Sequence, residues 1–115
     1  MSDCSSDIRA RRRSVEVGKV AVFANVEPSK AQALKPLEEA AEAFGAWQLY
    51  DRRMRIDEAV GITGTPRAME LRDALLDECA DAVQAVCNLA ASLGVVDMTD
   101  RMRACRVRNE ARGRM

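Results

Sequence analysis

Histidine is missing from all 115 residues. Its absence removes Ser-His-Asp triads, His–Zn sites and imidazole acid–base chemistry, and leaves carboxylates, thiols, hydroxyls, Lys and Arg to do any chemistry. Cysteine is sparse. Cys4, Cys79, Cys87 and Cys105 include no C-x-x-C pair, which argues against a zinc ribbon. Cys79 and Cys87 stand eight apart in an Ala/Leu/Val-rich stretch, roughly 12 Å along a helix and beyond disulfide reach. Both are expected to be small buried hydrophobes in a reducing cytosol. Aromatics number four, Phe23, Phe44, Trp47 and Tyr50, too few for stacking along a single nucleic-acid strand. Charge of one sign is lacking as well: 18 Lys+Arg cancel 18 Asp+Glu, so there is no general electrostatic case for nucleic acid. No apolar run approaches the roughly 18 residues of a membrane span. The opening MSDCSSDIRARRR has no apolar stretch behind it and predicts no secretory signal. A cytoplasmic protein with no membrane partner is expected.

What is present fits a folded domain. Hydrophobic residues make up 48% and charged residues 31%, a globular balance. Residues 1–14, with the basic cluster Arg9 and Arg11 to Arg13, read as a flexible basic tail, and 15–115 as one helical domain. The Val-rich stretch 15–27 predicts an extended or strand-like segment. Ser29 is a candidate N-cap, with Pro36 at the start of a main helix reaching about Arg53. Residues 54–65, with two glycines, read mostly as loop. Thr65-Pro66 starts a long helix that Gly94 ends. A last helix, capped by Asp97 or Thr99, runs to about Arg112. The expected fold is all-α: an oligomeric bundle of three to four helices with a short extended N-terminal segment. On the long helix, Leu71, Leu75, Leu76, Cys79, Ala82, Val83, Val86, Cys87, Leu89, Ala90 and Leu93 cover a stripe roughly 160° wide at 100° per residue. That breadth predicts more than one packing neighbour, a second subunit among them.

Two acidic clusters carry the chemistry. In Glu38-Glu39-Ala40-Ala41-Glu42, Glu39 and Glu42 share a helix face. In Glu78-Cys79-Ala80-Asp81, Glu78 and Asp81 do the same. The second pair borders the apolar stripe, where a neighbouring helix packs. Two like charges about 5 Å apart cost about 3 kcal/mol at an effective dielectric of 20. Four carboxylates in one place therefore need protons or a cation. An oxygen-only donor set suits a hard divalent ion, Mg²⁺ first and Mn²⁺ as its substitute, and the chemistry such a site favours is phosphoanhydride hydrolysis.

EEAAE (38–42) followed by ECAD (78–81) resembles the E-E-x-x-E … E-x-x-D pattern of the MazG-like all-α NTP pyrophosphohydrolases, the superfamily of dimeric dUTPases and phosphoribosyl-ATP pyrophosphohydrolases. KPLEEAAEAFGAW (35–47) is similar to the first motif helix and LLDECADAVQAVCNLAASLG (75–94) to the second. RNEARGR (108–114) resembles the basic end. The resemblance covers about residues 30–114. It implies cleavage of a (d)NTP between the α and β phosphates, in a homodimer or homotetramer. The Mg²⁺ ligands would be Glu39, Glu42, Glu78 and Asp81, with Glu38 and Glu39 in catalytic roles. Lys35, Arg108, Arg112 and Arg114 would hold the triphosphate, Asn88 the sugar or base, and Trp47 a stacked base. The chain departs from the pattern in spacing: 35 residues separate Glu42 from Glu78, more than the family has. The insert, roughly 50–68, either lengthens both helices or loops over the site.

The competing reading is a non-catalytic helical oligomerisation module whose carboxylates serve only as salt-bridge partners for the many arginines. A third, nucleic-acid binding through Arg9 to Arg13 and the C-terminal arginines, is opposed by the charge balance.

Overall fold

The computed structural model describes residues 13–115. These residues hold three helices, α1 (Lys30–Ala59), α2 (Pro66–Ser92) and α3 (Thr99–Ala111), and no strand. The fold is all-α. The Val-rich stretch 15–27 forms no strand; a turn at Ala24–Asn25 is its one regular feature. Of the expected basic tail, all but Arg13 and Ser14 lies outside the described residues, as does Cys4.

The described residues fall into two compact units, Ala21–Gly94 and the set made of Arg13–Val20 with Val95–Met115. The first is a hairpin of α1 and α2, which pack closely along each other. Helix α1 begins six residues before Pro36. Ser29 caps it, its Oγ accepting from the Gln32 N–H at 3.1 Å, so Pro36 sits inside the helix rather than at its start. Proline there supplies no N–H to the Gln32 carbonyl one turn back. The helix also runs past the expected end near Arg53 to Ala59. Ion pairs one turn apart, Asp51–Arg55 and Arg53–Asp57, support this added stretch. Gly61, at φ 76°, then lets the Ile62 N–H return to the Asp57 carbonyl and close the helix. Residues 50–68 therefore extend both helices around a short turn.

Thr65 caps α2 as expected, with its hydroxyl accepting from the Ala68 N–H at 3.2 Å and Pro66 in the first turn. Gly94, at φ 79°, follows its end. Among the described residues only two apolar side chains are buried, Ala68 and Ala85, both small residues of α2. Two helices side by side cannot enclose a core. The stripe of α2 is split accordingly. Leu71, Leu75, Ala82, Val83, Cys87, Leu89 and Ala90 are half-buried, while Leu76, Val86, Leu93 and Cys79 are exposed. The expectation that Cys79 is a buried hydrophobe fails, because it faces the side of α2 that the hairpin leaves open. Cys87 and Cys105 are half-buried free thiols.

In the second unit, α3 has no buried residue. The Asp97 carboxylate accepts from the Thr99 N–H at 2.8 Å just ahead of the first turn.

Candidate metal centre and adjoining cavity

The hairpin brings α1 and α2 together so that carboxylates 39 residues apart in sequence converge. One oxygen each from Glu39, Glu78 and Asp81 lies within 4.8 Å of the other two. Glu39 comes from α1, while Glu78 and Asp81 are one turn apart on α2. Glu42, one turn along α1 from Glu39, stands close enough to affect both glutamates. It lifts Glu39 above the usual carboxylate range, chiefly by sharing a hydrogen bond with it; partial burial and the charges of Glu42 and Asp81 act the same way, and Lys35 opposes them. Burial is the main cause of the upward shift at Glu78, and the charges of Glu42 and Asp81 add to it. The Glu78 Oε2 atom is buried and has no hydrogen-bond partner. A buried carboxylate oxygen left in that state is costly. Three oxygen donors on two helices, at a glutamate that keeps an orphaned buried oxygen, fit a hard divalent cation. No nitrogen or sulfur donor stands among them.

Glu38 points elsewhere. It pairs with Lys35 at 3.2 Å on the exposed side of α1. Lys35 nevertheless lines a cavity of about 510 Å³ that also touches Glu39 and Asp81, within the roughly 300–1,000 Å³ usual for small-molecule sites. The first turns of α1, the middle of α2 and the segment before α1 form its walls.

Asn88 lines this cavity too, but it is buried and its oxygen is already engaged. Its Oδ1 accepts from the Phe23 N–H at 3.1 Å and from Gln84 Nε2 at 3.0 Å. Gln84 Nε2 also donates to the Ala21 carbonyl at 2.8 Å. The two amides strap residues 21–23 to α2 across more than 60 residues of chain. Sequence reasoning missed Phe23, Gln32 and Gln84 as cavity residues. Nothing local marks them, because their role exists only once the strap is tied to α2.

Trp47 is not brought to the carboxylates. Its ring stacks on Phe44, with centroids 6.0 Å apart and planes inclined by 16°. It lines a separate groove of about 540 Å³ built wholly from α1 residues. At 100° per residue this aromatic face lies opposite Glu39 and Glu42. Arg108 and Arg112 belong to the other unit. Arg108 is in the last turn of α3, and Arg112 follows that helix and caps it.

A second polar centre, unforeseen from sequence, locks the hairpin turn. Asp57 is 1% exposed. Its Oδ1 accepts from Arg53 Nε at 2.9 Å and Nη2 at 2.6 Å, and its Oδ2 accepts from Thr65 Oγ1 at 2.7 Å. The Thr65 hydroxyl and the Arg53 guanidinium hold its carboxyl below the usual range. All of its oxygens are satisfied, which marks it as a structural carboxylate, in contrast to Glu78.

Comparison with protein-family models, with curated proteins and with solved structures finds no match to this chain.

Proposed function

We propose that the chain is a Mg²⁺-dependent nucleoside triphosphate pyrophosphohydrolase of the MazG-like kind, cleaving a (d)NTP between its α and β phosphates to the monophosphate and pyrophosphate. The observation that carries this reading is the meeting of Glu39, Glu78 and Asp81 oxygens within 4.8 Å of one another, at a glutamate, Glu78, that has a buried and unpartnered oxygen. Glu39, Glu78 and Asp81 would hold the ion, with Glu42 beside them. When bound, Mg²⁺ supplies charge neutralisation for the phosphates and activation of water. The chain's own groups do the rest. Lys35, at the cavity wall, draws the anionic phosphates. The attacking water adds to phosphorus as the bridging oxygen departs with pyrophosphate. With no histidine, its proton passes to a carboxylate, and Glu42, one turn from Glu39, stands beside the cluster for that role, whereas Glu38 is turned away to Lys35. The exposed apolar face of α1 supports a homo-oligomer, dimer or tetramer, that covers it. The test is Glu39→Ala and Asp81→Ala. Each should lower kcat for pyrophosphate release by at least about 100-fold, since a metal site supplies several kcal/mol to the transition state, with the helix content unchanged. Undiminished activity in either rejects the assignment.

A second reading, a helical oligomerisation module without catalysis, draws on a different observation. Leu37 (68% exposed), Phe44 (58%) and Trp47 (44%) share one face of α1 and stay largely open to solvent. The two readings part over Mg²⁺, which stabilises the fold only in the first.

A further inference from the structure

The segment before α1 shares the cavity with the carboxylates. Phe23, Asn25 and Glu27 line it together with Lys35, Glu39 and Asp81. Phe23 is 64% exposed, an open aromatic ring at the wall of a polar site. Its backbone is fixed all the same, because its N–H is held by the buried Asn88 and the Ala21 carbonyl by Gln84. A ring whose main chain is pinned and whose side chain stays free is preorganised to receive a flat partner. The other large aromatic surface of the hairpin, Phe44 on Trp47, is turned to a different groove. Phe23 is therefore the aromatic residue that lines this cavity. Gln32 and Asn25 belong to the same lining, and their side-chain amides offer both donors and acceptors.

We propose that Phe23 and the strap that carries it form the base-binding wall of the site: a nucleobase stacks on Phe23 and meets Gln32 and Asn25 at its edge, while the phosphates of the same ligand lie toward Lys35 and the carboxylates. This rests on the reading of the site as nucleotide-cleaving, and it assigns the recognition element to residues outside both acidic motifs. Specificity for the base then belongs to the strap, and the phosphate end stays common to all substrates.

The test measures binding to the full chain in Mg²⁺ by calorimetry. The probes are α,β-methylene nucleoside triphosphates of each base, which resist cleavage, and inorganic tripolyphosphate, which has phosphates and no base. Phe23→Ala should weaken the preferred nucleotide by roughly 5- to 100-fold, the worth of one base–aromatic stack. It should leave tripolyphosphate within about twofold. Phe23→Trp should restore nucleotide binding. Because the ring is exposed, the alanine variant should melt with the wild type. The inference is overturned if Phe23→Ala leaves nucleotide affinity unchanged, if it weakens tripolyphosphate to the same extent, or if the wild type binds tripolyphosphate as tightly as every nucleotide. A wild type that binds neither probe in Mg²⁺ overturns the nucleotide-cleaving reading itself, and the base wall with it.

Discussion

The hydroxyl of Thr65 donates to the carboxylate of Asp57 at 2.7 Å while accepting from the Ala68 N–H. One side chain thus caps α2 and ties it to the end of α1. Thr65→Ala should cost about 1–2 kcal/mol for the lost cap, and more for the Asp57 oxygen it strands. Thermal melts should show a drop of at least about 5 °C. Thr65→Ser, which keeps the hydroxyl, should recover most of it. Equal melting of the alanine and serine variants would contradict the two-way role.

Asp57 also sets an acid limit. Its carboxyl is held below the ordinary value of 3.8 by Thr65 and Arg53. The unfolded chain therefore takes up a proton on Asp57 before the folded one does. The stability this provides is complete above about 3.8 and is lost as the pH falls through the lower folded value. Asp57→Asn should flatten the acid limb of a stability–pH curve. An unchanged limb would count against the assignment.

The acidic cluster works in the opposite sense. Glu39 and Glu78 are lifted above their ordinary 4.5. As the pH rises from there, the unfolded chain ionises first and the metal-free fold loses stability until the folded groups ionise too. Glu78→Gln should therefore raise the melting temperature of the metal-free protein at pH 7 by a few degrees. It should also abolish the stabilisation by Mg²⁺, which for a folded-state ligand at a hundredfold excess over its Kd is about 2.7 kcal/mol. A variant no more stable than wild type in EDTA, with its Mg²⁺ response intact, would show that Glu78 is not strained by its neighbours and holds no ion.

Leu37, Phe44 and Trp47 predict self-association. Light scattering at micromolar concentration should give a dimer or tetramer, and Phe44→Glu should shift it toward monomer and redden Trp47 fluorescence. A wild-type monomer would refute the oligomer.

The sequence made the helical class, the Thr65-Pro66 start and the pairing of the two acidic motifs legible, because each rests on local chemistry: a cap, a fixed φ, carboxylates one turn apart. Three features were hidden. The helix from Met54 to Ala59 looked like loop because its support, the Asp57 network, depends on Thr65 eight residues on. Pro36 looked like a helix start because the cap at Ser29 lies a full turn and more before it. Phe23 falls in a stretch that reads only as extended or strand-like, and its partner, Asn88, is 65 residues away. Side-chain amides that satisfy a distant backbone leave no periodic trace. For the same reason the sequence leaves Asn88 open between a sugar or base contact and a helix–helix hydrogen bond, whereas its oxygen accepts from the strap and from Gln84 on its own helix.

The most direct test of the central claim is pyrophosphate release from a panel of NTPs and dNTPs, measured with Mg²⁺ and again with EDTA. Release in Mg²⁺ is expected from at least one nucleotide, silenced by EDTA and by Asp81→Ala. A folded protein that releases no pyrophosphate from any of them, or that releases it equally in EDTA, would contradict that claim.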